Sequence, residues 1–266
     1  MIAYGIRVLP LIRDLRGAQP RVTQPWYAED SGAGGKFPNI MEHLRDLQAR
    51  GPAQGYYPDL IKSVLVLAPG NVDWAEDQFR GLGIKVVTGH RYLGGYIGDK
   101  EAEGMWLAEN IKEWTELVEI LAKVSQKHPK SAYAELQKPL QQEWAFVQRV
   151  TPGIGDAFRT VDTALKEYFV PELFKGLGDG IPERGVTRLS VKQTRLALPD
   201  PSQTAPENWT ASCVITVNLV AALRGQVEFR TADHWACLRE GRTAVWRRGQ
   251  RRAEEALTAA LEGAPV

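Results

Sequence analysis

Residues 24–35 read Gln-Pro-Trp-Tyr-Ala-Glu-Asp-Ser-Gly-Ala-Gly-Gly and join a short predicted strand to a glycine-rich turn. Aromatic and β-branched side chains over residues 22–28 favour the strand, because they suit a pleated, half-buried surface. Two adjacent acids, Glu29 and Asp30, follow it directly. Buried carboxylates are unfavourable unless they are paired, so these two should face water or a cation. The stretch is therefore either a site for Mg²⁺, which prefers carboxylate and phosphate oxygens, or the solvated acidic turn of a hairpin.

Helices and short strands alternate on both sides of this stretch. Apolar side chains at helical spacing predict a helix over residues 2–16, with Pro10 inside it, and a second helix around residues 40–47 that stops at Gly51-Pro52. A short helix is predicted over residues 74–80. The predicted strands are residues 61–67, 84–87 and 92–97, with residues 88–91 connecting the last two. We expect three or four strands in one short antiparallel sheet with helices on one face.

From about Asp99 the pattern becomes helical. Leu107, Ile111, Trp114, Val118 and Leu121 recur at a spacing of four and three, which places them on one face of a long helix. Further helical patterns cover residues 131–149 and 156–177. Residues 178–207 are rich in Gly, Pro and Thr and predict a long connection, whereas the apolar residues 208–225 suit a helix or a strand equally. The predicted fold class is α+β, with a mainly helical second part.

Composition narrows the class of protein. The 266 residues carry 33 Lys and Arg against 32 Asp and Glu, so a net charge of +1 excludes a histone-like binder. Two cysteines exclude a disulfide framework and a four-cysteine zinc site. We find no secretory signal and no apolar run near the roughly 20 residues that a membrane span needs. We therefore expect an intracellular protein of the cytoplasm or nucleus that has no membrane partner.

Charge is uneven along the chain despite this balance. Residues 239–252 hold six arginines and one glutamate, a local charge of +5, and Trp235 and Trp246 lie beside them. Arginines and aromatic rings together suit phosphate contacts and base stacking. A charged helical surface explains the same pattern equally well, and the sequence leaves both open. The residues predicted to bind nucleic acid here are Arg247, Arg248, Arg251 and Arg252.

The order of these motifs resembles that of retrotransposon reverse transcriptases. Residues 24–35 are similar to the family's Tyr-x-Asp-Asp motif, residues 58–63 to its lysine-bearing strand, and residues 91–98 to its primer-grip hairpin. Residues 1–5 resemble the start of the helix that follows the family's Gln-Gly-Asp-Pro-Leu-Ala motif. Residues 137–144 and 209–213 also resemble C-terminal sequence of that lineage. The likeness covers most of the chain.

This resemblance implies RNA-directed DNA synthesis with two Mg²⁺ ions, which stabilise the attacking oxygen and the leaving pyrophosphate. It implies that Glu29 and Asp30 hold the metal and are catalytic, and that Lys62 neutralises or protonates the pyrophosphate. The hairpin residues implied to contact the RNA/DNA template–primer are Arg91, Tyr92, Gly94 and Gly95. The implied domains are a partial palm over residues 1–98, a thumb-like region over 99–178 and a C-terminal extension over 179–266 with the basic segment.

Two departures from the family pattern shape the expected activity. The strand that carries the third carboxylate would precede Met1, and Glu29 stands where the family has aspartate. We expect a fragment that is inactive as given and takes up deoxynucleotides only if its palm is completed. The alternatives are a nucleic-acid-binding module without catalysis, an active polymerase whose N-terminal half is cut off or supplied separately, and a globular protein of another class.

Overall fold

The computed structural model describes residues 2–27, 30–175, 187 and 196–262. The chain forms two compact units, one made of residues 1–88 with 218–231 and the other of residues 89–217 with 232–266. Helices and short strands both occur, as the α+β prediction requires. The division into palm, thumb and extension stays a prediction. The two units differ from it in grouping the hairpin 89–98 with the helical part.

Two predicted helices build the core of the first unit. Helix α1 (Ile2–Ala18) and helix α2 (Phe37–Arg50) confirm the predictions made from apolar spacing. Leu11, Leu15, Leu47 and Tyr56 form one buried cluster, onto which Trp26 packs. Burying one such side chain contributes roughly 1.5–3 kcal/mol to the stability of the fold. Because Trp26 packs on this cluster, the cluster orients the start of the acidic stretch.

The strands of the first unit form two separate pairs. Strands β1 (Trp26–Tyr27) and β2 (Asp30–Ser31) are antiparallel, whereas β3 (Val64–Val66) and β4 (Lys85–Val87) are parallel. The prediction of one antiparallel sheet is therefore wrong. Parallel neighbours need a crossover, often helical, and helix α3 (Val72–Gln78) lies in the connection between β3 and β4.

The second unit begins with a hairpin of strands β5 (Gly89–Tyr92) and β6 (Gly95–Gly98). The predicted connection over residues 88–91 is wrong, because β5 covers 89–91. The turn falls instead at Leu93 and Gly94, whose φ angles are 47° and 81°. Positive φ at both central positions is typical of the type I′ turn, whose twist matches that of the paired strands.

Helix α4 (Lys100–Ser125) is the centre of the helical core. The Asp99 carboxylate accepts a hydrogen bond from the Ala102 backbone N–H at 2.9 Å and caps its N-terminus. The predicted apolar face is buried at its first four positions and partly buried at Leu121, and Trp114 stacks on Phe158 with ring centroids 5.8 Å apart. The other helices of this core are α5 (Pro129–Glu135), α6 (Gln141–Val150), α7 (Arg159–Ala164) and α8 (Val170–Leu173). Short π-helical turns over residues 136–140 and 165–169 continue these helices.

Two long helices end the described chain, α9 (Pro201–Leu223) and α10 (Thr231–Glu262). The predicted connection 178–207 is wrong from Pro201 onward, and residues 178–186 and 188–195 of it lie outside the described residues. Gln148 explains where α9 starts. Its buried side-chain amide donates to the Pro201 carbonyl at 2.9 Å and accepts from Asn208 Nδ2 at 2.7 Å. These polar contacts anchor the first turns of α9 beside α6.

Candidate nucleic-acid interface

The acidic hairpin is fixed from its inner side. Trp26 and Ser31 are paired across the two strands, Trp26 packs edge-on against Tyr56 at 5.4 Å, and Ser31 Oγ lies 2.7 Å from the Tyr56 hydroxyl. The buried Gln24 side chain donates to the Leu15 carbonyl at 3.3 Å and ties the approach to α1. Sequence reasoning missed this anchor, because Tyr56 lies 25 residues from Ser31.

The outer side of the hairpin carries Asp30. It is paired with Tyr27, and both side chains are exposed. Directly opposed residues of an antiparallel pair share one face, so Asp30 and Tyr27 lie side by side toward solvent. Glu29, the predicted partner of Asp30, lies outside the described residues. The structure thus presents one of the two predicted carboxylates on an exposed edge.

Lys62 occupies a turn rather than a strand, because β3 begins only at Val64. Its ammonium lies 3.3 Å from Asp59 Oδ2, and the Asp59 carboxylate also accepts from the Ile61 and Lys62 backbone N–H groups. Desolvation acts to raise the pKa of Asp59, but the hydrogen bonds and the Lys62 charge outweigh it and hold that pKa below 3.8. The predicted lysine-bearing strand over 61–67 is wrong at residues 61–63 and at Leu67, because β3 covers Val64–Val66. Strand β2, which carries Asp30, and strand β3, which follows Lys62, belong to separate sheets.

The described residues contain no group of three or more His, Cys, Asp and Glu side chains arranged to hold a metal ion. The Asp30 carboxylate offers the kind of oxygen ligand that Mg²⁺ prefers. Among the predicted metal ligands, it is the one that the structure describes. One carboxylate does not fix an ion in a set geometry.

The second predicted interface is the hairpin β5–β6, and its two glycines that were predicted to contact a ligand have a packing role. A Cβ on Gly94 would lie 2.9 Å from Phe146 Cε1, and one on Gly95 would lie 3.0 Å from Val150 Cγ2. Gly94 therefore suits its position both by its positive φ and by the closeness of Phe146, whereas a side chain on Gly95 would require Val150 to shift slightly. Arg91 is exposed, whereas Tyr92 is half-buried. Of the four predicted contact residues, Arg91 is the one placed to meet a large ligand.

Helix α10 carries the arginine-rich segment, and its packing divides the four predicted arginines. Gly241 faces α9, since a Cβ there would meet Ile215 well inside van der Waals contact. About two and three helical turns further on, Arg248 and Arg252 are only partly exposed, and Arg252 pairs with Glu207 of α9 at 2.8 Å. Arg247 and Arg251 are exposed.

A second exposed set on α10 was not among the predicted site residues. Arg239 and Arg242 are exposed, and the side chains of Trp235 and Trp246 are 52% and 62% exposed. Their spacing of four, three and four residues is the signal that places all four on one face of a helix. The two tryptophans stood out in the sequence, but only as neighbours of the arginines.

Comparisons with known protein families, curated proteins and solved structures find no match for this chain. Within the described ranges, no helix is both long and apolar enough to cross a bilayer. The likeness to reverse transcriptases therefore rests on the quoted motifs, and what it implies is put forward below as a proposal.

Proposed function

We propose that this chain is the C-terminal part of a retroelement reverse transcriptase, an RNA-directed DNA polymerase, that binds template–primer and is catalytically inactive as given. The observation that supports it best is the acidic hairpin. Asp30 and Tyr27 share a solvent-exposed face, while Trp26 and Ser31 hold the opposite face against Tyr56. A polymerase needs such an arrangement, because its acids must reach substrate phosphates from a rigid support.

In this proposal each predicted residue has a defined part. Asp30, with Glu29 before it, contributes oxygen ligands for Mg²⁺, which supplies charge stabilisation at the transferring phosphate when bound. The Lys62 side chain is 86% exposed, and its ammonium can meet a phosphate oxygen by releasing Asp59. Arg91 on the hairpin binds the template–primer backbone, and deoxynucleotides bind once the palm is complete. The compartment we propose is the cytoplasm or nucleus, where such templates occur.

Primer extension on poly(rA)/oligo(dT) with Mg²⁺ or Mn²⁺ tests the catalytic part. We expect no extension by the 266-residue chain, because it holds one side of a two-metal site. A longer chain that adds the aspartate-bearing strand implied upstream should extend the primer. Asp30→Ala should abolish that activity, and the matched change of an exposed acid, Asp73→Ala, should leave it intact.

Two results would contradict this proposal in different ways. Extension by the 266-residue chain that Asp30→Ala removes would show that these residues suffice for catalysis. A longer chain that stays active with Asp30→Ala would show that the acidic hairpin is not part of the catalytic site.

A second candidate function is nucleic-acid binding without catalysis. It is favoured by helix α10, on which Arg239, Arg242, Arg247 and Arg251 are all exposed. Exposed arginines bind phosphates by charge-assisted hydrogen bonds and need no metal. A protein of this kind would bind nucleic acid with the same residues while failing the extension test in every form.

A further inference from the structure

The outward face of α10 carries a stripe of two tryptophans that enclose two arginines. Trp235, Arg239, Arg242 and Trp246 follow one another at four, three and four residues, which confines them to one side of the helix. At a rise of 1.5 Å per residue the two tryptophans stand about 16 Å apart along the axis. Gly241 and Arg252 face α9 on another side of the same helix, so packing on α9 leaves the stripe in solvent.

From this arrangement we infer that the stripe binds an unpaired nucleic-acid strand. Large exposed aromatic side chains stack on bases whatever the sequence, and arginines between them contact the phosphates. The inference rests on the proposed function for the nature of the ligand, and it adds that the ligand is single-stranded.

A duplex does not suit this face as well as a single strand does. In a duplex each base is stacked on its neighbours, so an indole ring cannot reach a base face without breaking that stack. The major groove of an A-form helix is too deep and narrow for side chains to read, and its shallow minor groove presents 2′-hydroxyls and base edges rather than base faces. Duplexes would meet only Arg239 and Arg242, through their phosphates.

A membrane surface suits the face less well, too. Helices that lie in a bilayer interface separate an apolar side from a basic side. Here Arg239 and Arg242 stand between Trp235 and Trp246 on the same side, so inserting the tryptophans would carry both charges with them.

The test is fluorescence anisotropy of labelled (rU)12 and of a 12-base-pair RNA duplex, titrated with the whole 266-residue chain. Trp235→Ala and Trp246→Ala should each weaken (rU)12 binding by roughly 5- to 150-fold, the range for removing one base stack. Trp235→Phe and Trp246→Phe should restore most of the binding. Duplex affinity should change by less than about twofold in the tryptophan variants, since the duplex makes no base stack with either ring.

Two matched variants control for general effects. Trp74→Ala removes a tryptophan of similar exposure, 51%, from the other unit and should leave binding unchanged. Arg239→Ala/Arg242→Ala should weaken the binding of both ligands. Lys127→Ala/Lys130→Ala removes two exposed charges elsewhere and should leave the binding of both unchanged. Circular dichroism establishes that each variant is folded before it is titrated.

The outcomes separate this inference from the proposed function. Equal binding of strand and duplex, with no effect of Trp235→Ala or Trp246→Ala, would overturn the inference and leave template–primer binding intact. Failure to bind either ligand would overturn the inference together with the nucleic-acid function. Binding to phosphatidylserine vesicles in place of (rU)12, abolished in the same variants, would assign the stripe to a membrane. Tryptophan-dependent binding of (rU)12 with no extension by the longer chain would support the inference and remove the polymerase.

Discussion

At the scale of the residue, burial separates side chains that the sequence presents as equivalent. Arg251 and Arg252 are adjacent, yet Arg251 is exposed while Arg252 pairs with Glu207. Gly94 and Gly95 were implied to contact template–primer, but the close approach of Phe146 and Val150 already accounts for the small residues at these two positions. A residue type therefore indicates a possible chemistry, and its neighbours decide whether that chemistry can reach a ligand.

His43 gives a prediction at this scale. Its side chain is 3% exposed on α2, and Nδ1 is buried without a hydrogen-bond partner among the residues described. Desolvation lowers the pKa of His43 below 6.5, and the Asp46 carboxylate opposes it only partly. The unfolded chain thus binds more protons near and below pH 6.5. The free energy of unfolding should fall as pH drops through this window, by at most about 1.4 kcal/mol per pH unit.

Urea unfolding at pH 8 and at pH 5 measures this effect. His43→Leu should reduce the difference between the free energies of unfolding at the two pH values, because it removes the group that gains a proton on unfolding. His128→Leu, at an exposed histidine, serves as the control. An unchanged pH dependence in His43→Leu would assign the loss of stability to other groups.

At the scale of the element, glycines on α10 show how one helix can serve two surfaces. Gly241 allows α9 and α10 to approach closely. At Gly249, by contrast, a Cβ would meet no neighbouring element within 4 Å, so the helix does not need glycine there for packing. Close approach on one side leaves the tryptophan and arginine stripe on another. Packing and binding are thereby kept on separate faces of a single helix.

These two glycines form a matched pair of substitutions. Gly249→Ala should stabilise the chain by up to about 1 kcal/mol, since alanine favours a helix over glycine by that amount. Gly241→Ala gains the same propensity but forces its methyl group into Ile215, and overpacking of this kind costs roughly 1–3 kcal/mol. Thermal unfolding should therefore shift upward for Gly249→Ala and downward for Gly241→Ala. Equal shifts would show that α9 does not pack tightly at Gly241.

At the scale of the whole molecule, the net charge of +1 conceals a strongly basic segment. Residues 239–252 contribute +5, so the rest of the chain sums to −4. If the chain binds nucleic acid as proposed, the attraction must be local to α10 rather than a property of the whole surface. Such local binding weakens with salt in proportion to the number of phosphates contacted.

The salt dependence of (rU)12 binding measures that number. Replacing Arg239, Arg242, Arg247 and Arg251 by Ala should flatten the slope of log K against log salt by roughly 0.7 for each phosphate that the variant no longer neutralises. Arg252→Ala should leave the slope nearly unchanged, because that guanidinium is engaged by Glu207. The four-lysine variant Lys112→Ala/Lys127→Ala/Lys130→Ala/Lys138→Ala removes equal charge and serves as the control. If the lysine variant shows a slope as flat as that of the arginine variant, the change in slope reflects net charge rather than phosphate contacts made by α10.

The sequence by itself determined the elements whose signals are local. Helices α1, α2 and α4 follow from apolar spacing, and α2 also from its predicted stop at Gly51-Pro52. The acidic hairpin was predictable only in part. Of the predicted strand over 22–28, residues 22–25 lie outside β1, and Asp30 and Ser31, predicted to lie in the turn, form the second strand β2. These features depend on neighbours within a few residues, which is the range that a periodic pattern reports.

Only the tertiary structure decided which surfaces pair and which face solvent. Val64 pairs with Lys85 in parallel and Gln148 anchors α9 at Pro201, and neither contact leaves a signal within a short stretch of sequence. The same holds for the arginines of α10, since α9 covers Arg252 and leaves Arg239 and Arg242 in solvent. The physical reason is that burial depends on residues distant in sequence, whereas periodicity shows that a face exists without showing what covers it.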